Sequence, residues 1–237
     1  MAVIIPARYG SSRLPGKPLL DLAGKPMIRH VYERAMQAQV SSVWVATDDA
    51  RIHAAVHSFG GQVMMTATNH PSGTDRVAEV ARSLKAEIIV NVQGDEPLLD
   101  PQLINRVAEP LCQDPTLVMA TAAHPIYDQN EANDPNVVKV VCNRQGNALY
   151  FSRSPIPFDR DTTHHPLLRH LGLYAYRASF LQKLATLPPT ILEQRERLEQ
   201  LRVLEEGYTI RVIVTDQAAI GVDTPADAER VRGLLAR

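Results

Sequence analysis

The sequence predicts an α/β fold: a mostly parallel sheet with flanking helices. Three observations lead there. The chain opens on a strand of buried type, Ala2-Val3-Ile4-Ile5-Pro6-Ala7, and its next segments alternate helical and strand patterns in β-α-β-α-β order. Right-handed crossovers fold that order into a parallel sheet. The first strand runs into a loop dense in glycine, serine and cations, Arg8-Tyr9-Gly10-Ser11-Ser12-Arg13-Leu14-Pro15-Gly16-Lys17-Pro18, and a later strand ends in Gln93-Gly94-Asp95-Glu96. Open α/β sheets bind ligands outside the carboxyl ends of their strands, which is where both polar segments fall.

Bulk properties narrow the function. The chain has 237 residues, enough for one good core. Its 25 Lys and Arg against 26 Asp and Glu leave no basic excess, which argues against a general nucleic-acid binder. No apolar run approaches the roughly 20 residues that span a bilayer. The N-terminus enters a strand directly, without signal-peptide features, and Cys112 and Cys142 have no metal-type spacing. The expectation is a cytoplasmic protein with reduced thiols and no membrane partner.

The first loop reads as a polyphosphate site. Gly10 and Gly16 let the backbone approach an anion, and Arg8, Arg13 and Lys17 supply positive charge. It is not the P-loop of kinases: five residues separate Gly10 from Gly16, and Pro18 stands where a metal-binding hydroxyl belongs. A helix is predicted over residues 26–39, with Met27, Val31, Ala35 and Ala38 on one face. A strand over 43–47 ends in Asp48-Asp49. A helix over 49–59 stops at Gly60-Gly61, and a strand spans 62–66. Ser72 and Thr74 suit the N-cap of a helix over about 75–84, and such an end also suits an anionic or polar ligand. Residues 88–92 form a central strand. Asp95 at its end, facing a polyphosphate loop, is the natural Mg²⁺ ligand.

A helix over 103–112 and a strand over 118–124 follow. The pattern then becomes irregular, with a hairpin of strands 137–141 and 148–151 around Arg144-Gln145-Gly146-Asn147. Arg153 after the second strand has the geometry for a carboxylate. Residues 158–168 are polar, and the adjacent His164 and His165 there read as a solvated loop rather than a metal site. In 169–177, His170 and Tyr174 lie four apart on a strand pattern and share a face. One helix is predicted over 192–205, with Leu198, Leu201, Val203 and Leu204 as its apolar stripe. A strand over 210–214 follows, then a helix to Leu235 capped by Thr224, Pro225 and Asp227.

The runs Pro6-Ala7-Arg8-Tyr9 and Arg13-Leu14-Pro15-Gly16-Lys17-Pro18-Leu19 resemble the opening of the 3-deoxy-manno-octulosonate (Kdo) cytidylyltransferases. So do Ser72-Gly73-Thr74, Val92-Gln93-Gly94-Asp95-Glu96-Pro97, Tyr150-Phe151-Ser152-Arg153, the 169–177 segment, Leu198-Glu199-Gln200-Leu201-Arg202 and the stretch around Asp223. The resemblance implies a Rossmann-like sheet of the nucleotide-diphospho-sugar transferase type with a small inserted dimerisation and sugar-binding lobe. It implies one domain over 1–237: a CTP-binding half to about 125, the lobe over about 126–209, and a returning strand and helix over 210–237. CTP would be held by Ala7, Arg8, Arg13 and Lys17 and by Ser72, Gly73, Thr74 and Gln93. The sugar would be held by Gln93, Arg153, His170, Tyr174, Glu199 and Gln200. Mg²⁺ would sit on Asp95 and Asp223, with Arg8, Arg13 and Lys17 sharing the catalytic work. The reaction implied is CTP plus Kdo to CMP-Kdo and pyrophosphate, for lipopolysaccharide, in a homodimer for which the stripe around Leu198 is a compatible surface. Rival readings are a cytidylyltransferase for 8-amino-Kdo or sialate, a transferase of a sugar 1-phosphate with UTP, and a non-catalytic nucleotide-binding protein.

Overall fold

The computed structural model describes residues 1–10, 14–161, 165–217 and 220–236. Arg13 and His164 lie outside these. Contacts divide the chain into two compact units, Met1–Asn105 with Ala219–Arg237, and Arg106–Ala218.

In the first unit, β1 (Ala2–Ala7) is the apolar opening run, and Ala2, Val3, Ile4 and Ile5 are fully buried. A single turn over Lys17–Leu19 and the short ribbon of β2 (Asp21–Leu22) and β3 (Lys25–Pro26) lead into α1 (Met27–Ala35). Then come β4 (Ser42–Thr47), α2 (Ala50–Ser58), β5 (Gln62–Met65), α3 (Gly73–Ala81), β6 (Ile88–Asn91) and α4 (Pro101–Gln113), the last running past the unit boundary. The strand order is β6-β1-β4-β5, all parallel. Thr47 pairs with Ala7, so β1 and β4 end level, and their polar continuations emerge side by side. The C-terminal helix Pro225–Leu235 starts on the predicted capping box of Thr224 and Asp227. Its Ala228 and Val231 pack with Leu22, Met27 and Val222 into a small core. The third helix starts at Gly73, two residues earlier than its pattern, because Ser72 is the cap: its hydroxyl accepts from Asp75 N at 3.2 Å.

The second unit holds β7 (Met119–Ile126), α5 (Gln129–Asn133), β8 (Lys139–Cys142), β9 (Ala148–Ser152), β10 (Leu167–Arg177), α6 (Ala178–Leu184), α7 (Ile191–Glu196), α8 (Gln200–Glu205) and β11 (Ile210–Val214). Strand β7 lies between parallel β11 and antiparallel β10, and the β8–β9 hairpin extends from β10. The strands at 119–126 and 210–214 thus belong to this unit's sheet. Lys139 is fully buried, and its ammonium donates to the carbonyls of Asp134 (2.9 Å), Val137 (2.6 Å) and Arg153 (2.6 Å). Burial lowers its pKa.

Two expectations are corrected here. The helix over 192–205 is two short helices, because Arg197 adopts a left-handed conformation (φ 55°, ψ 47°) and ends α7. Glu193 on α7 and Arg202 on α8 then pair through two hydrogen bonds of 2.6 and 2.8 Å, locking the corner. Of the stripe, Leu198, Leu201 and Val203 are buried within the chain itself, and only Leu204 is left half-buried rather than the whole stripe being free for a dimer.

Candidate active site

Among the described residues, the expected Lys17, Asp95 and Asp223 converge beyond the carboxyl ends of β1 and β6. Gly16 stands at φ 70°, a left-handed turn suited to glycine, and its N–H donates to Tyr9 O at 3.0 Å. Arg51 stacks on the Tyr9 ring, 3.3 Å from the centroid, and is itself held by Asp49. That hydrogen bond brings the Asp49 pKa down to about 2. The loop is thereby fastened to α2, with Lys17 at its inner end. The Lys17 ammonium donates to Asp95 Oδ2 at 2.6 Å and to Asp223 Oδ1 at 3.0 Å. Burial by itself would lower the Lys17 pKa, but Asp95 and then Asp223 outweigh it and leave it above the ordinary lysine value.

Two backbone arrangements make this meeting possible. A Cβ on Gly94 would sit 3.0 Å from the backbone oxygen of Pro6, so any larger residue would push the β6 loop and β1 apart by a few tenths of an ångström. Far along the chain, Val222 N donates to Asp95 O at 2.9 Å, which sets Asp223 beside Asp95. Asp227 accepts from the Asp223 and Thr224 amides at 3.1 and 2.8 Å, so the final helix's cap also fixes the second carboxylate.

Lys17, Asp95 and Asp223 open onto a cavity of about 460 Å³, which Ala7, Arg8 and Gln93 also line. Arg8 is exposed, while Ser72 and Gly73 line the far wall; Thr74, buried in the first turn of α3, is not among the lining residues. Sequence reasoning missed the other polar residues of that wall. Arg76, 5% exposed, donates to Asp48 Oδ2 at 2.7 Å and to Thr66 Oγ1. His70 pairs with Glu79, whose carboxyl is held below its usual range first by that contact and then by the Ala67 amide. Asp48 could have been found by its place at a strand's carboxyl end. Arg76 lies in the first turns of α3, and no spacing ties it to Asp48.

Of the expected sugar residues, Gln93 lines the cavity above, and the other five lie in the second unit. Strand β10 is bulged between Leu171 and Tyr174, and the Thr121 hydroxyl fills the bulge, reaching Leu173 O at 2.8 Å, His170 Nε2 at 3.0 Å and Leu171 O at 3.2 Å. The hydroxyl has one proton, given to the carbonyls, so His170 Nε2 donates to it. The His170 ring packs edge-on against Phe151, centroids 5.0 Å apart, and against Tyr174 at 5.3 Å. Burial lowers the His170 pKa to about 3 and, with a contribution from Glu199, raises that of Tyr174. Tyr174 Oη reaches Gln200 Oε1 at 3.4 Å, while Gln200 Nε2 is buried without a hydrogen-bond partner among the described residues. Glu199 caps α8. Arg153 closes the end of α7: its guanidinium donates to the carbonyls of Glu196 (2.7 Å), Pro135 (2.9 Å) and Arg197 (3.4 Å).

A sheet of this order, with a cation-bearing loop after its first strand and an acid pair beyond the carboxyl end of β6, defines a nucleotide-handling α/β protein. The cytidylyltransferase family model matches residues 2–210, and the chain belongs to the cytidylyltransferase family. It is 52% identical to the 3-deoxy-manno-octulosonate cytidylyltransferase of Escherichia coli, covering 99% of this chain and 96% of that one. Its identity to the enzyme of the same name from Polynucleobacter necessarius is 56%, covering 99% and 95%. The solved structure of a CMP:2-keto-3-deoxy-manno-octonic acid synthetase complexed with CTP superposes with a TM-score of 0.95 at 52% identity, covering 99% of this chain and 98% of that one. Among the described residues, no helix is long and apolar enough to cross a membrane.

Proposed function

We infer that this chain transfers the cytidylyl group of CTP to 3-deoxy-manno-octulosonate, forming CMP-Kdo and pyrophosphate. The observation that carries the reading is the Lys17 ammonium held between Asp95 and Asp223 on the nucleotide-facing ends of the sheet, in a chain so close to enzymes of that name. The sugar's anomeric hydroxyl oxygen forms a bond to the α-phosphorus. The bond from that phosphorus to the bridging oxygen breaks, pyrophosphate leaves, and the hydroxyl proton passes to solvent. Arg8 and Lys17 draw in the triphosphate and balance charge on the departing pyrophosphate; Arg13, outside the described residues, is assigned the same task. The amide-rich start of α3 at Ser72 and Gly73, with Ala7 and Gln93, holds the nucleotide, and Thr74 is buried behind that wall.

We assign Mg²⁺ to Asp95 and Asp223. The pair fits it: two carboxylates already share one positive group, and magnesium takes carboxylate oxygens together with substrate phosphates. When bound, the ion supplies Lewis acidity at the reacting phosphate. For the sugar, Gln200 has the most direct support, because a ligand hydroxyl would satisfy its buried Nε2. Neutral His170 and Tyr174 offer polar groups that need no counter-charge, Glu199 accepts from hydroxyls, and Arg153 retains two of its five N–H groups for a carboxylate. The two free cysteines, Cys112 exposed and Cys142 half-buried, support a reducing, cytoplasmic setting. A homodimer is proposed from the resemblance alone.

The test is pyrophosphate release with each nucleoside triphosphate, with and without Kdo, 8-amino-Kdo and sialate. Release should require CTP and Kdo together. Asp95→Asn should keep its circular dichroism and lose at least about 100-fold in turnover. Near-normal turnover in that variant would remove Asp95 from the metal site.

A further inference from the structure

We propose that Glu196 is a positioning residue that aims Arg153 at the carboxylate of the sugar substrate. This rests on the reading of the chain as a Kdo cytidylyltransferase with Arg153 on the sugar acid. Glu196 ends α7 among charges that alternate along 193–199, and that pattern alone makes it one more solvated carboxylate. The structure gives it another task. Its neighbour Glu193 pairs with Arg202, whereas Glu196 forms no ion pair among the described residues. Both its carboxylate oxygens turn instead to the end of β9. Oε1 accepts from Ser152 Oγ at 2.7 Å, and Oε2 accepts from the Arg153 backbone N–H at 3.0 Å.

The link also runs the other way. Arg153 Nε donates to Glu196 O at 2.7 Å, and Nη2 donates to Arg197 O at 3.4 Å. Helix α7 stops at Glu196, so these carbonyls are left for the guanidinium rather than for a following turn of the same helix. Arg153 Nη1 donates to Pro135 O at 2.9 Å, and the buried Lys139 ammonium holds Arg153 O at 2.6 Å. Glu196 thus grips Arg153 twice, its backbone through the carboxylate and its guanidinium through the carbonyl. Three of the five N–H groups are engaged, and one remains on each terminal nitrogen, which is what the two oxygens of a carboxylate take up. A free arginine would give up its rotamer freedom on binding. Here folding has already ordered it, so the ligand does not meet that cost.

The experiment compares Kdo with its C1 carboxamide, a neutral analogue of similar shape, by initial rates of pyrophosphate release at saturating CTP. The readout is the ratio of kcat/KM for the two sugars, which a general loss of folded protein does not move. The wild type should favour Kdo at least about tenfold, as a hydrogen bond between charged groups allows. Arg153→Met should lose that preference. Glu196→Gln keeps length and size but only one acceptor oxygen. It should lower the ratio at least about threefold through the KM for Kdo, with the KM for CTP unchanged. Ser152→Ala, which removes a single donor to Glu196, should lower it less. A ratio that falls in Arg153→Met but keeps its wild-type value in Glu196→Gln overturns this proposal alone. A ratio unchanged in Arg153→Met removes Arg153 from the sugar acid and overturns both. A second measurement needs no turnover: hydrogen exchange of the Arg153 Nε proton, followed by NMR, should quicken at least about threefold in Glu196→Gln. An unchanged exchange rate overturns the positioning. A wild type that transfers nothing to Kdo removes the proposed reaction and leaves this inference to be decided by the exchange rates.

Discussion

At the scale of single residues, Lys17 holds two acids at hydrogen-bonding distance from one cation, the place proposed for Mg²⁺. Lys17→Met should lose at least about 100-fold in turnover. It should also melt earlier than wild type in chelator and recover more on adding Mg²⁺, as differential scanning fluorimetry would show. His170 carries a second prediction. Its pKa is about 3 in the fold and near 6.5 when unfolded, so between those values the unfolded chain binds a proton that the folded chain refuses. Stability from this group is therefore complete above about pH 6.5 and declines as the pH falls toward 3. A series of thermal melts from pH 7 to 4.5 should fall less steeply in His170→Gln than in wild type.

At the scale of elements, Arg197 turns one expected helix into two. A left-handed conformation costs an L-residue about 1–2 kcal/mol, and what Arg153 takes from Arg197 is its carbonyl, which any residue supplies. Arg197→Gly should thus stabilise by up to about 1 kcal/mol after glycine's entropy in the unfolded chain is counted, and Arg197→Val should destabilise; urea melts distinguish them. This break was illegible because the leucine spacing continues across it and neither glycine nor proline marks it. The opening strand, the central strand at 88–92 and the final helix were legible because each has an unambiguous pattern: unbroken apolar runs in the first two, and Thr-Pro-x-Asp capping chemistry in the third. The start of α3 moved because Ser72 and Thr74 both suit a cap, and only the hydroxyl's reach to Asp75 decides between them.

For the molecule as a whole, the residues expected to hold the nucleotide belong to one compact unit, and the expected sugar residues other than Gln93 belong to the other. CTP alone should slow amide exchange at residues 7–10, 72–74 and 93–96 and leave 170–174 unchanged, measured by mass spectrometry. Equal protection in both would show that the two respond together. Residues far apart in sequence limited what could be read here. Lys17 and Asp95 announced themselves by loop and strand-end position, and the tie between Val222 and Asp95 that seats Asp223 has no sequence signature. Asp48 and Arg76 escaped because each alone has an ordinary explanation, as a strand end and a helix surface.

The buried ammonium of Lys139 bears on how the second unit reaches its one arrangement. Three carbonyls from two stretches of chain, 134–137 and Arg153, surround that charge, and Lys139 stands opposite Ser152 on one side and Arg169 on the other. Sliding the hairpin by one residue would turn the side chain to the opposite face and strand a cation without its oxygens. The lysine therefore acts as a key in a lock: mispaired strands are rejected by charge, where the interchangeable valines around it would have accepted them.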